Sequence, residues 1–195
     1  MRKLAIFVPV LAFMFLAQFA AAQQGDAMFG GNVLMSPGSC DTVTGLCPEK
    51  GGFYPSVSAD VVFHKRIGFN FETAWRASQG DYFGQPYRPI LTDFNALYQP
   101  RLSKKVGFDL MGGIGWQSTR FYLPFCTGTF SCNNFDSTRH FLVDVGGGVR
   151  YYVWGHFFVR PEAHYYHILN NTDAFQNGNV IRVGASIGYT IGGPE

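Results

Sequence analysis

The sequence predicts an all-β chain: an eight-stranded antiparallel up-and-down transmembrane β-barrel that follows an N-terminal signal peptide. Three observations predict it. Apolar and polar residues alternate with period two along most of the chain after residue 22, the mark of strands with two unlike faces. The segments joining these strands alternate between long and short, as in membrane barrels. The polar face is crowded with Gly, Ser, Asp and Arg, residues that fit a narrow barrel interior better than a water-facing surface.

The elements follow in order. Residues 1–22 read as a signal peptide: Arg2 and Lys3, an apolar run from Leu4 to Phe19, then Ala20, Ala21 and Ala22 before a cut at Gln23. Residues 23–195 form the barrel domain. Strands are expected at 26–36, 51–64, 67–78, 89–101, 106–118, 139–153, 156–167 and 179–190. The long connections are 37–50, 79–88, 119–138 and 168–178; the short ones are 65–66, 102–105 and 154–155. No stretch after residue 22 is long and apolar enough for a membrane-spanning helix. An even number of strands puts both mature termini at the short-turn end, the periplasmic side, and the long loops outside the cell. Pro55, Pro100 and Pro161 fall within the proposed strands, where a missing N–H calls for a strand end or a bulge.

The faces can be read strand by strand. Residues Ile67, Phe69, Phe71 and Trp75 oppose Gly68, Asn70, Glu72 and Arg76; Phe108, Leu110, Ile114 and Trp116 oppose Gly107, Asp109, Gly113 and Gln117. The polar face supplies a lumen charge network of Asp60, Glu72, Asp93, Asp109, Asp144 and Glu162 with Arg76, Arg101, Arg150, Arg160 and Arg182. Arginine suits it because its planar fork bonds two carboxylate oxygens, and an unpaired interior charge is costly. A plugged lumen is expected. The apolar face carries two aromatic bands, Tyr98, Tyr151 and Tyr189 near the short-turn ends and Trp75, Trp116 and Tyr165 near the loop ends, as expected of girdles at two lipid interfaces.

Charge and cysteine usage narrow the function. The chain has 15 Lys plus Arg against 13 Asp plus Glu; the leader removes two bases, so the mature part is formally neutral and offers no case for nucleic acid. Cys40, Cys47, Cys126 and Cys132 all lie in loops of an exported chain. Disulfides are expected there, with Cys40–Cys47 and Cys126–Cys132 as the natural local pairings among three possible connectivities. No histidine shows metal-ligand spacing, Gly146, Gly147 and Gly148 lie inside a strand rather than in a nucleotide loop, and no cofactor or catalytic set is expected. His140 and His164 face inward on this register, and His167 outward.

The blocks "VGFDLMGGIGWQS", "HFLVDVGGGVRYYV", "FFVRPEAHYY" and "VIRVGASIGYTIGG", in this order behind a leader, resemble the small eight-stranded outer-membrane barrels of bacteria, of the OmpA transmembrane-domain and OmpX/Ail kind. The resemblance spans about residues 26–192. It implies a bacterial outer-membrane location, lipid and lipopolysaccharide around the barrel, and insertion by the barrel-assembly machinery. The final segment keeps Tyr189 and Ile191 in alternation but lacks the terminal aromatic many such chains end on. The family implies a non-enzymatic cell-envelope role, structural or through the surface loops. A lipid A deacylase-like enzyme or a small pore are the alternatives.

Overall fold

The computed structural model describes residues 24–37, 51–64, 66–82, 84–122, 125–126, 132–170 and 178–192. The leader, Cys40 and Cys47 lie outside the described residues. Eight strands build the barrel: β1 (Gln24–Met35), β2 (Gly52–His64), β3 (Ile67–Trp75), β4 (Gln85–Tyr98), β5 (Val106–Phe121), β6 (Asp136–Trp154), β7 (Phe157–Ile168) and β8 (Asn179–Gly192). Each pairs antiparallel with its neighbours in the chain. β1 pairs with β8 from Gln24 opposite Gly192 to Met35 opposite Ile181, which closes the sheet. Even the shortest strand, β3 with 9 residues, reaches the length a tilted strand needs to cross a bilayer.

All eight expected strands are present. The main differences are at the loop end. β5 and β6 stay paired up to Phe121 opposite Asp136, so the longest connection is shorter than its sequence suggests. β4 starts at Gln85, and a three-residue strand, Gly80–Tyr82, folds back on it. Gly84 makes that turn with φ +77°, and its N–H donates to the Asp81 carboxylate at 3.0 Å. At three residues the strand is too short for alternation to reveal it.

The prolines sit where their missing donor does least harm. Pro100 falls just past β4, and Pro55 is half-exposed, opposite Gly31. Pro161 is deep in β7, opposite Ala185 of β8. On its other side the ladder to β6 lapses, running from Val159–Tyr151 directly to Glu162–Gly148 without a change of register.

The molecule is apolar outside and charged inside. Phe29, Phe69 and Ile187 are 62%, 63% and 66% exposed, while the side chains of Arg160 and Arg182 are fully buried. A soluble sheet protein shows the reverse. Close strand approach also depends on residues without side chains. A Cβ on Gly113 or Gly115 would lie 2.0 or 2.1 Å from a β4 backbone carbonyl oxygen, whereas one on the outward Gly112 meets nothing nearer than 3.8 Å. Gly115→Val is therefore expected to lower the unfolding free energy by about 1–3 kcal/mol. Gly112→Ala should stay within about 0.5 kcal/mol, both measured by urea unfolding in lipid vesicles.

Candidate functional site

The lumen is where most of the chemistry-bearing side chains converge. Its central feature is Arg150 on β6. The guanidinium donates to Asp26 of β1 and, at 2.9 Å each, to Asp60 of β2 and Asp109 of β5. Arg160 on β7 shares the same two carboxylates at 3.2 Å and holds Glu162 at 2.7 Å. Toward the loops, Arg182 of β8 donates to Glu72 of β3 at 2.7 Å. His164 Nδ1 lies 3.1 Å from the Asp144 carboxylate. Asp93 of β4 accepts from Asn95 at 2.7 Å and from the Tyr166 hydroxyl at 3.4 Å. Among the described residues the fully buried carboxylates outnumber the fully buried arginines, so each arginine of the lower cluster serves several acids. The network ties strands on opposite walls.

Glycine makes room for this crowding. A Cβ on Gly146 would meet the His164 ring at 2.4 Å, one on Gly148 the Arg160 stem at 2.9 Å, and one on Gly188 the Phe158 ring at 2.3 Å. Phe158 in turn lies flat beneath Arg150, whose guanidinium carbon is 4.1 Å from the ring centroid, an attraction that strengthens when water is excluded.

The structure places the expected residues as follows. Asp60, Glu72, Asp109, Arg150, Arg160, Glu162 and Arg182 form the ion-pair network, and Asp144 lies against the His164 ring beside it. Asp93 is buried beside them and is held by neutral partners. Arg76 and Arg101 lie at opposite ends. Arg76 donates to the Tyr87 hydroxyl at 3.0 Å and to the Gly51 carbonyl at 3.3 Å; Arg101, past the end of β4, donates to Gln24 at 3.2 Å. Tyr98, Trp116, Tyr151, Tyr165 and Tyr189 are exposed on the outer face and Trp75 is half-exposed there. Trp154 and Phe157 extend the short-turn band, with Phe157 packed edge-on against Tyr189 at 4.9 Å. His164 is buried, His140 half-buried, and His167 exposed with Asn179 at 3.0 Å. Cys126 and Cys132 face each other as Cα partners in a two-residue ladder.

Two features escaped the sequence reading. Asp26 joins the Arg150 cluster, although its glycine-rich strand has weak alternation. The interior is also not polar throughout. Leu34, Tyr54, Leu91, Leu142, Tyr166 and Val180 pack together above the charges at the loop end, and Val62, Leu97 and Met111 pack at the other. Glu72, Glu162 and His164 could in principle face a metal ion, with ligand atoms within 4.8 Å of one another. Both carboxylates already hold an arginine at 2.7 Å, so the cluster belongs to the charge network.

The family described as outer membrane protein beta-barrel domain has a model that matches residues 6–189. Among solved structures, the chain is similar to the N-terminal β-barrel domain of Pseudomonas aeruginosa OprF, at 12% identity and a TM-score of 0.57, over 87% of this chain and 98% of that one. It is similar to Neisserial surface protein A at 16% identity and 0.57, covering 86% and 95%. It is also similar to Ail, the attachment invasion locus protein of Yersinia pestis, at 12% and 0.53, covering 87% and 99%. At such identities the likeness is one of fold. No curated protein sequence matches the chain.

Removing one partner of a buried ion pair leaves charges that nothing compensates. Arg150→Met, which leaves Asp60 and Asp109 to Arg160 alone and Asp26 with the Gln24 amide in place of an arginine, is expected to cost about 3–5 kcal/mol. Arg66→Met in an exposed turn should change stability by less than about 0.5 kcal/mol. The urea midpoint for loss of the fast-migrating folded band on unheated gels reads both.

Proposed function

Because this chain belongs to the outer membrane protein β-barrel domain family, we propose that it is a non-enzymatic barrel with a closed lumen that holds its loops at the cell surface for a structural or surface-interaction role. The observation that carries this reading is the stacked filling of the interior. Shared arginine–carboxylate clusters occupy the middle, and apolar side chains occupy both ends. A side chain in each layer would have to leave its partners for an ion to pass. The histidine–carboxylate groups face this packed interior, away from the lipid where an acyl-chain substrate would lie.

In this reading both mature termini lie in the periplasm and the long connections outside, which an even strand count with the short turns at the termini's end supports. The outward aromatic bands match the two interfaces of a bilayer containing lipopolysaccharide, and the barrel-assembly machinery inserts the chain. The long β5–β6 hairpin is part of the surface presented to a partner. Disulfides tie the loops. Cys126 and Cys132 are directly opposed, and opposed residues in an antiparallel ladder have Cα atoms about 4.5–5.5 Å apart, inside the range a disulfide spans.

Planar bilayers should show no stepwise conductance for the wild type. Cells should accept thiol-reactive surface labels at a cysteine introduced at Asn134 and not at Lys104, in a background lacking the native cysteines. Steady channel openings would replace the closed-lumen reading with a pore, and labelling at the turn end alone would reverse the orientation. Separately, mass spectrometry of unreduced peptides should recover Cys126 joined to Cys132; recovery of both as thiols, or joined to other cysteines, would remove that tie.

A further inference from the structure

The outer face of the barrel carries one position where apolar and cationic surface meet. Phe94 on β4, Ile114 and Trp116 on β5 and Phe141 on β6 line an open groove of about 490 Å³, with Arg139 at its loop-side edge. Phe94 and Trp116 pack at 6.0 Å between ring centroids. Above the groove, Arg88 is directly opposite Arg120 across the β4–β5 ladder. Arg120 is opposite Ser137 on β6, two residues from Arg139.

Strand parity puts all three arginines on the outward face: Tyr87 and Thr119, next to Arg88 and Arg120, are buried on the inward one, and Arg139 alternates with the half-buried Thr138 and His140. Opposed residues lie about 4.5–5.5 Å apart and diagonal ones about 7–8 Å, so three guanidinium groups can converge. Like charges directly opposite in a ladder repel. The nearest outward positions on β4, β5 and β6, Ile90, Ser118 and Ser137, carry no carboxylate; Asp81, diagonal to Arg88 across the small hairpin, accepts from the Gly84 N–H, and Arg88 donates to the Ala77 carbonyl at 3.4 Å. Arg88 and Arg120 also rest on aromatic rings, Tyr122 at 5.9 Å and Phe135 at 5.2 Å, contacts that hold a cation in place without neutralising it.

We infer that this face binds a phosphate-bearing glycolipid of the outer leaflet, with an acyl chain along the Phe94–Ile114–Trp116–Phe141 groove and its phosphate held by Arg88, Arg120 and Arg139. Arg139 stands two strand residues above Phe141, and the opposed pair Arg88 and Arg120 stands four above the level of Trp116, so the charges lie on the loop side of the groove as headgroup phosphates lie over a chain. Guanidinium forks suit phosphate oxygens, since two parallel N–H bonds meet them at once. A second groove, of about 410 Å³ around Phe108, Leu110, Gly147, Val149, Pro161 and Ala163, lies at mid-strand depth with no cationic edge, and ordinary lipid chains cover it. The assignment deepens the proposed placement of the loop end at the outer leaflet and rests on it.

The test is titration of the folded, detergent-solubilised barrel with bis-phosphorylated lipid A, followed by native mass spectrometry and tryptophan fluorescence. Dephosphorylated lipid A and phosphatidylglycerol serve as comparisons. One lipid A per barrel is expected. The triple variant Arg88→Gln, Arg120→Gln, Arg139→Gln should weaken binding at least tenfold, as should loss of the phosphates. Ile114→Arg, which blocks the groove but keeps the cations, should do the same. Fast migration on unheated gels confirms that each variant is folded. Equal binding by the triple variant, by dephosphorylated lipid A or by phosphatidylglycerol overturns the assignment. Binding in detergent does not depend on orientation in the cell, so failure of the topology reading appears in surface labelling alone.

Discussion

The hydrocarbon core of a bilayer offers no water to unpaired backbone groups, so a sheet that crosses it cannot have an edge. The pairing of β1 with β8, continuous from Gln24 to Met35, meets that requirement, and much of the rest follows from it. Closing only eight strands makes a narrow cylinder. Side chains of alternate residues must fill it, and the others must face lipid.

Filling that space with charge needs acids and bases from opposite walls at the same level. Arg150 and Arg160 do this by sharing Asp60 and Asp109; Gly148 on β6 leaves room for the Arg160 stem, and Gly188 on β8 leaves room for the Phe158 ring on which Arg150 rests. A buried ion pair adds little stability over a well-packed apolar core, but breaking one costs a great deal. The network therefore specifies one arrangement of the strands, and apolar side chains pack on both sides of it.

The two ends differ chemically. The short-turn end is finished by polar contacts, with Gln24 bonded to Gln99 and Arg101. The loop end has an apolar interior and a cationic exterior, with Arg88, Arg120 and Arg139 on three consecutive strands. An outer leaflet rich in phosphate and an inner side facing the periplasm would account for that difference.

By itself the sequence determined the strand count, the strand order and the face on which each residue falls, because a period of two is local and survives without knowledge of neighbours. Glu72, Asp109, Arg150 and Arg182 could be placed in the lumen by parity alone. The tertiary structure decided height. Whether Asp26 meets Arg150, whether Leu34, Tyr54 and Leu142 form one layer, and whether Arg88, Arg120 and Arg139 stand together all depend on the stagger between strands. Stagger is set by closure of the whole sheet, with its tilt and shear, and no single strand carries that information.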